Sequence, residues 1–196
     1  MTKSLHSNFL SQQRILASAL LMTVTLLVLA TSAQAKTPKV SEILDNNGFQ
    51  TLLFALDTTD LTSVLDENRV VLFAPTDDVF EATADALGCT DVLELATNLM
   101  NTPVGDTNAL AYVLTYHAYL GRIKDNYELL SAGELQMANG DSVMTGVGQG
   151  GLYVKGIVNA TPSTITTEAF KAKKGSSVYA IDQILLPIDP AGICGT

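Results

Sequence analysis

Between residues 40 and 65, apolar side chains recur at the three- and four-residue spacing that is typical of amphipathic helices. The repeat falls into three short stretches, with apolar positions at Val40, Ile43 and Leu44, at Phe49, Leu52, Leu53 and Leu56, and at Leu61, Val64 and Leu65. Thr59 and Asp60 offer an N-cap for the third stretch. Because single helices shorter than about 12–15 residues are marginal in water, we expect all three to depend on packing against other elements.

A buried strand is predicted at residues 69–74, where β-branched and apolar residues follow one another without alternation. Pro75 ends the strand, and Thr76 then occupies the position of a helix N-cap. Asp77 and Asp78 fall in the first turn of that helix, where the helix dipole favours negative charge. We therefore expect the Thr76 side chain to cap a helix that begins directly after the strand.

Two further helices are predicted before residue 117. Thr90 is the expected N-cap of the first, and Asp106 or Thr107 begins the second. Their inner faces carry Val92, Leu95, Ala96 and Leu99 in the first, and Leu110, Val113 and Leu114 in the second. The segment 101–103 separates the two helices, because the residue before Pro103 disfavours helical conformation.

After Tyr116 the pattern changes to short apolar–polar alternation, which predicts strands rather than helices. The expected strands lie near residues 117–124, 134–138, 142–147, 151–158, 163–170 and 177–185. Asn139 and Gly140 separate two of them and suit a tight hairpin turn, because both residue types tolerate positive φ. A helical first half followed by a β-rich second half predicts an α+β fold with segregated elements.

Residues 1–35 have the three parts of a secretory signal peptide. Lys3 and Arg14 give a basic start, residues 15–30 are mostly apolar, and Ala35 ends a cleavage site of small residues. A membrane anchor is the alternative, but the apolar run is shorter than the roughly 20 residues that a spanning helix needs. We therefore expect cleavage after Ala35, secretion to the periplasm or the extracellular space, and one domain over residues 36–196 without a membrane span.

Cys89 and Cys194 are the two cysteines of the chain. In an oxidising compartment such a pair usually forms a bridge, so we expect a disulfide that ties the C-terminal tail to the middle of the domain. Two separate buried thiols are the alternative. A domain of this size buries enough surface to fold without crosslinks, so we expect the disulfide to add stability without being essential for folding.

The formal net charge of −9 argues against nucleic acid as a partner, because an acidic surface repels phosphate backbones. Removal of residues 1–35 takes away two cations and no acid, which brings the charge to −11. Lys171, Lys173 and Lys174 form a basic cluster in this acidic sequence. The cluster fits either a turn with solvated lysines or a contact with an anionic glycan on a partner surface.

No residue pattern indicates an enzyme, a cofactor or a metal ion. Residues 146–151 match G-x-G-x-x-G by letter, but no helix opens after them to meet a pyrophosphate, so we expect a hairpin turn. His117 is the one histidine after the predicted cleavage, and its place on an apolar helix face indicates a buried ring that bonds to backbone groups. The acidic clusters around Asp57 and Asp77 lack the ligand order of an EF-hand, and no paired ligands stand at zinc-site spacing.

Three short segments resemble the motifs of the fasciclin domain. They are residues 71–80, VLFAPTDDVF, residues 114–117, LTYH, and residues 177–187, SVYAIDQILLP. The positions that match the family pattern are Phe73, Pro75, Thr76, Asp77, Phe80, Tyr116, His117, Asp182 and Pro187. Val79 stands where the family usually has alanine, and Tyr179 stands where it frequently has histidine.

The resemblance implies a fasciclin-like β-wedge of short strands packed with several short helices. It also implies a secreted, non-enzymatic protein that mediates cell adhesion or surface and matrix interaction through a protein or a surface glycan. In animal members the Tyr-His region is linked to integrin binding, which would correspond to Tyr116 and His117 here. Some algal members bind carotenoids, so an extracellular carrier of an apolar ligand such as a carotenoid is the alternative.

Adhesion and ligand carriage make different demands on the structure. Adhesion needs an exposed apolar patch of about a few hundred Å². A carrier needs an enclosed pocket of about 300 Å³ or more. The cavities and exposed surfaces of the folded domain are therefore the features that distinguish the two functions.

Overall fold

A computed structural model describes residues 36–194, and the predicted signal peptide lies outside these residues. The α-helices, in chain order, are α1 (Val40–Asn46), α2 (Gln50–Thr58), α3 (Leu61–Glu67), α4 (Asp77–Ala86), α5 (Val92–Asn101), α6 (Ala109–Tyr116) and α7 (Asn126–Ala132). The strands are β1 (Val70–Pro75), β2 (Pro103–Val104), β3 (Thr107–Asn108), β4 (Ala118–Leu120), β5 (Glu134–Gln136), β6 (Ser142–Gly148), β7 (Gly151–Lys155), β8 (Ser163–Thr164), β9 (Phe170–Lys171) and β10 (Ser177–Ile181). This is the predicted α+β fold. Among the described helices, none is both long and apolar enough to cross a bilayer.

A central sheet with the strand order β4-β1-β10-β9 divides the domain into two sides. β1 and β10 run parallel, with Val71 opposite Ser177 and Pro75 opposite Ile181. Every residue of these two strands is buried. Strands of a parallel pair that is covered on both faces read as continuous apolar runs, which explains why residues 69–74 show no alternation.

Successive residues of β1 face different cores. Val70, Leu72 and Ala74 belong to a helix-side core, which they share with residues of α1, α2, α3, α5 and α6. Val71 and Phe73 belong to a sheet-side core, which is closed by α7 and by a second sheet of order β5-β6-β7-β8. The two-residue period of a strand thus builds two separate cores from one buried segment.

Several helix starts differ from the sequence prediction. Thr76 occupies the N-cap position of α4, but its side chain accepts no capping hydrogen bond. Asp91, not Thr90, caps α5 and accepts a hydrogen bond from the Glu94 amide at 2.8 Å. Asn108 caps α6, later than the predicted Asp106 or Thr107, because the hairpin of β2 and β3 occupies the preceding residues.

The second half of the domain contains a helix that the alternation pattern did not predict. The strand expected at 117–124 ends at Leu120, and α7 follows after the cap Asp125, which accepts from the Glu128 amide at 2.9 Å. The strand expected at 163–170 is also divided, since β8 joins the second sheet and β9 joins the central one. Residues 146–151 form the β6–β7 hairpin, as predicted.

Candidate functional site

An apolar cavity of about 340 Å³ lies on the helix side of the central sheet. Its walls come from α2, α4, α5 and α6, and from residues 184–194, which we call the tail. The lining side chains include Leu52, Phe54, Ala55, Phe80, Thr83, Leu93, Ala96, Leu99, Leu110, Val113, Leu114, Ile184, Leu186, Ile188 and Ile193. None of the lining residues is acidic, and none is lysine or arginine.

Small side chains leave part of this space open. Ala55, Thr83 and Ala96 line the cavity from three different helices, among larger leucine and isoleucine neighbours. Close-packed protein interiors contain few voids larger than a water molecule, so a cavity of this volume exceeds an ordinary packing gap. Its size falls within the range of small-molecule binding sites, about 300–1,000 Å³.

Two exposed apolar side chains mark the mouth of the cavity. Phe54 on α2 is 59 % exposed and Leu93 on α5 is 61 % exposed, although both also line the cavity. Single exposed apolar residues are ordinary, but such residues that border an apolar cavity extend it into one apolar surface. The cavity therefore opens to solvent between α2 and α5.

The tail is held in place by polar side chains from two other segments. The Nδ2 atom of Asn159 donates to the Ile184 carbonyl at 2.8 Å, and its Oδ1 atom accepts from the Leu186 amide at 2.8 Å. His117 accepts from the Leu185 amide at 2.9 Å. These bonds point Ile184 and Leu186 into the cavity wall while Leu185 is buried in the sheet-side core.

A disulfide between Cys89 and Cys194 holds the other end of the tail. The two Cα atoms are 4.9 Å apart, and Cys89 lies buried just after α4. Asn98 on α5 donates to the Cys194 sulfur at 3.4 Å. The tail is therefore fixed at both ends, and it forms one continuous wall of the cavity.

His117 connects the last turn of α6 to the tail. Its Nε2 atom accepts from the Leu185 amide, so its Nδ1 atom carries the proton and donates to the Val113 carbonyl at 2.7 Å. Burial lowers the pKa of His117 to about 4, and the bond to Val113 opposes this shift only in part. The imidazole is neutral at pH 7, and because both nitrogens are occupied it offers no free group to a ligand or a substrate.

Tyr116 makes the corresponding connection on the sheet side. Its hydroxyl donates to the Ser142 carbonyl at 2.7 Å and accepts from the Ile157 amide at 3.0 Å. Tyr116 has no exposed surface and His117 is 2 % exposed. The Tyr-His pair therefore holds the helix side and the sheet side together from within.

The first motif, residues 71–80, which we call the opening motif, contributes both to packing and to capping. Phe73 is fully buried and stacks on Tyr179 with ring centroids 6.0 Å apart, whereas Phe80 is only partly buried and lines the cavity. Pro75 is buried at the end of β1. Asp77 accepts from the amides of residues 50 and 51, at 3.2 and 2.7 Å, and so caps α2 from a distant part of the chain.

The third motif, residues 177–187, which we call the closing motif, fixes the end of β10. Asp182 is exposed, and its Oδ1 atom accepts from the Thr164 amide at 2.6 Å and from the Ser163 hydroxyl at 3.0 Å. It therefore ties β8 to the residue that follows β10. Pro187 lies partly buried between the two cavity-lining residues Leu186 and Ile188.

The acidic clusters have structural partners. Asp66 accepts from Ser41 and forms a salt bridge to Lys39 at 3.3 Å. Hydrogen bonds and Lys39 lower the pKa of Asp66 despite the opposing effect of burial. Within residues 36–194, no three His, Cys, Asp or Glu side chains lie close enough together to hold a metal ion.

Comparisons with known proteins identify the family. The sequence profile of the fasciclin domain matches residues 47–187, so the chain belongs to the fasciclin-domain family, as its three motifs predicted. A solved FAS1 domain pair from the insect cell adhesion molecule fasciclin I has a similar fold, with a TM-score of 0.59 and 13 % sequence identity. That match covers 76 % of this chain and 51 % of the insect chain, so this chain spans about half the length of its structural relative. A search of curated proteins finds no match.

Sequence reasoning did not find the cavity, and the signals for it were weak. The tail residues Ile188 and Ile193 form part of the wall, but no periodicity distinguishes them from an ordinary terminal segment. In the sequence, Asn159 begins the glycosylation sequon Asn-Ala-Thr, which gives no sign that its buried side chain clamps the tail. Most of the apolar residues on the inner faces of α5 and α6 are buried in the core, as predicted, and the same residues also line the cavity.

Proposed function

We propose that this protein is an exported, non-enzymatic carrier that binds a small apolar molecule in the cavity on its helix side. The observation that supports the proposal is a cavity of about 340 Å³ whose lining contains no charged side chain and whose one histidine is fully hydrogen-bonded. The disulfide agrees with an oxidising compartment, the periplasm or the extracellular space.

The lining defines the chemistry of the ligand. Burying a charged or strongly polar group without a partner costs several kcal/mol, so the cavity selects against such groups. An apolar cavity of about 150 Å³ holds one benzene ring, so this one suits a molecule or part of a molecule with on the order of a dozen carbon atoms. A longer apolar molecule, such as a carotenoid, would extend through the mouth between Phe54 and Leu93.

The proposal is tested with N-phenyl-1-naphthylamine, a neutral probe whose fluorescence rises in apolar surroundings. We expect saturable binding of one probe per chain. Ala96→Phe places a ring in the cavity and should abolish binding, whereas Ala82→Phe, at an exposed position of α4 outside the lining, should leave it unchanged. If Ala96→Phe lowers the melting midpoint, Ala96→Leu fills the cavity with a smaller side chain and replaces it in the test. Equal probe binding by the folded wild type and the filling variant would refute a carrier that uses this cavity.

Adhesion through the mouth of the cavity is the second candidate function. The exposed Phe54 and Leu93 favour it, and the structural relative is described as an insect cell adhesion molecule. In this function the apolar side chains of a protein or surface partner would dock at the mouth. The burial of Tyr116 and His117 makes these two residues poor contacts for such a partner.

The two functions differ in what the mouth contributes. Phe54→Ser combined with Leu93→Ser should abolish attachment of protein-coated beads to cells if the mouth is an adhesive surface. The same variant should keep most of the affinity for a small probe that lies deeper among Ala55, Ala96 and Leu110. If bead attachment is unchanged in this variant, adhesion by this surface is excluded.

A further inference from the structure

All four strands of the central sheet have a basic residue at one shared edge. β1 and β10 run parallel and both begin there, while β4 and β9 run antiparallel to them and end there. The cations at these ends are Arg69 before β1, Arg122 after β4, Lys171 in β9, and Lys173 and Lys174 before β10. Together with Lys124 we call these six residues the basic edge.

The two arginines lie side by side at the centre of the basic edge. A Cβ atom placed on Gly175 would be 3.8 Å from Nε of Arg69 and 3.8 Å from Nε of Arg122, so the two side chains flank this glycine. The Nε atom of Arg69 donates to the Lys174 carbonyl at 2.9 Å, which fixes its orientation. Two neighbouring guanidinium groups present planar forks that match carboxylate and sulfate oxygens.

The lysines extend this arrangement along the edge. Nζ of Lys171 donates to the Lys124 carbonyl at 3.0 Å and to the Ser177 hydroxyl at 3.2 Å. Four strands give three inter-strand spacings of about 4.8 Å, so the row of cations is about 14 Å wide. Five of the six residues are exposed and Lys173 is partly buried, so their charges face solvent.

Within residues 36–194, no carboxylate forms a salt bridge with the basic edge. Within the described residues, the one salt bridge joins Lys39 and Asp66, and neither belongs to the edge. Asp125 and Glu128 accept hydrogen bonds at the start of α7. At the other end of the edge, Lys173 and Lys174 share a surface pocket with the acidic residues Asp57, Asp60, Asp66 and Glu67. Glu67 contributes its main-chain carbonyl to Nζ of Lys174. The other four cations, Arg69, Arg122, Lys124 and Lys171, lie outside this pocket and concentrate positive charge in a chain with a net charge of −9.

We propose that the basic edge binds a segment of a linear anionic polysaccharide that carries carboxylate or sulfate groups. The edge shares no residue with the lining of the apolar cavity, so this is a second binding site with a different ligand. Because six of the nine cations in residues 36–194 stand at this edge, the acidic remainder repels any polyanion that extends far beyond it. This arrangement favours a flexible chain with spaced charges over duplex DNA, which carries one charge per about 1.7 Å.

The direct test measures binding of size-defined heparin oligosaccharides and of polygalacturonate fragments by calorimetry at low and moderate salt. We expect binding that weakens with salt, since exposed ion pairs are screened. Arg122→Gln and Lys171→Gln should each lower the affinity roughly threefold to fivefold, the scale of one exposed ion pair. Lys155→Gln on β7 makes the same charge change away from the edge and should have little effect.

One further variant and two other anionic ligands test the specificity of the site. Arg122→Lys keeps the charge but loses the fork, so it should bind more weakly than wild type. An absence of binding at low salt would overturn the proposal, as would an equal loss of affinity in Lys155→Gln. Equally tight binding of single-stranded DNA, or of vesicles with anionic lipid, would also overturn it, because it would show non-selective binding of polyanions or a membrane contact.

Discussion

The two cores on either side of the central sheet are packed in different ways. The sheet-side core is filled by large side chains, among them the stacked pair Phe73 and Tyr179 and the ring of Tyr116. The helix-side core is built by short helices and contains the cavity of about 340 Å³. Both cores share β1 and β10, so the same buried strands support one filled side and one partly open side.

The difference indicates a division of roles within the fold. The sheet side contributes packing that does not depend on a ligand, because large buried side chains such as Phe73, Tyr116 and Tyr179 make up its core. On the helix side, Ala55 and Ala96 border the open space of the cavity, so we expect larger side chains at these positions to extend into it. Ligand preference can therefore vary on the helix side while the sheet side keeps the fold stable.

The largest expected effect comes from releasing the tail. Cys89 and Cys194 are 105 residues apart, for which the chain-entropy model gives an upper value of about 4.7 kcal/mol and experience gives about 2–4. The double variant Cys89→Ser, Cys194→Ser should still fold, because a domain of this size does not depend on crosslinks. Urea denaturation should show a free energy of unfolding that is lower by about 2–4 kcal/mol. The oxidised wild type should show no free thiol after denaturation without reductant.

Amide hydrogen exchange locates this loss. In the double serine variant, exchange should accelerate in α5 and in the tail, while β6 and β7 keep wild-type protection. Uniform acceleration on both sides of the sheet would contradict the division between the two cores. Loss of probe binding together with unchanged protection of β6 would support it.

His117→Ala is expected to be nearly as costly. It leaves a cavity beside an existing one, and it leaves the Leu185 amide and the Val113 carbonyl without partners, which together cost about 2–4 kcal/mol. Urea denaturation measures the change. A variant that keeps wild-type stability but loses binding to cells would instead assign His117 to a surface contact.

The pH dependence of stability isolates the same side chain. The pKa of His117 is about 4 in the folded protein, against about 6.5 in an unfolded chain. Between these values only the unfolded state gains the proton, so stability is full above about pH 6.5 and falls as the pH drops toward 4, by about 3 kcal/mol. His117→Gln should lack this part of the slope, and identical slopes in the two proteins would refute the assignment.

Much of the fold was accessible from the sequence because its signals are local. The run at residues 69–74, the inner faces of α5 and α6, and the Asn139-Gly140 turn all depend on neighbours within a few positions. α7 was missed because its seven residues are short, although Asp125 and Glu128 stand at the spacing of a capping pair. The cavity was missed because it depends on the distance between helices, which no residue pattern encodes.

A smaller effect, of opposite sign, is expected from Tyr179→Phe. The Tyr179 hydroxyl is buried with no hydrogen-bond partner among the described residues, and burial raises its pKa. Removing an unsatisfied buried hydroxyl while keeping the ring should raise the free energy of unfolding by about 1 kcal/mol. Tyr116→Phe is the matched control, since it deletes a hydroxyl with two partners and should destabilise. Destabilisation by both variants would mean that the Tyr179 hydroxyl has a partner.

The smallest effect distinguishes two neighbouring residues of the opening motif. The sequence assigned the capping role to Thr76, but its side chain accepts no hydrogen bond, whereas Asp77 accepts from the amides of Gln50 and Thr51 at the start of α2. Asp77→Ala should therefore cost about 1 kcal/mol, the usual contribution of a cap. Thr76 is partly buried but its side chain caps nothing, so Thr76→Ala should stay within about 0.5 kcal/mol. Asp77→Asn keeps one acceptor oxygen and should fall between them. Because α2 forms a wall of the cavity, Asp77→Ala should also weaken probe binding. The reverse order of the two alanine variants in urea denaturation would return the capping role to Thr76.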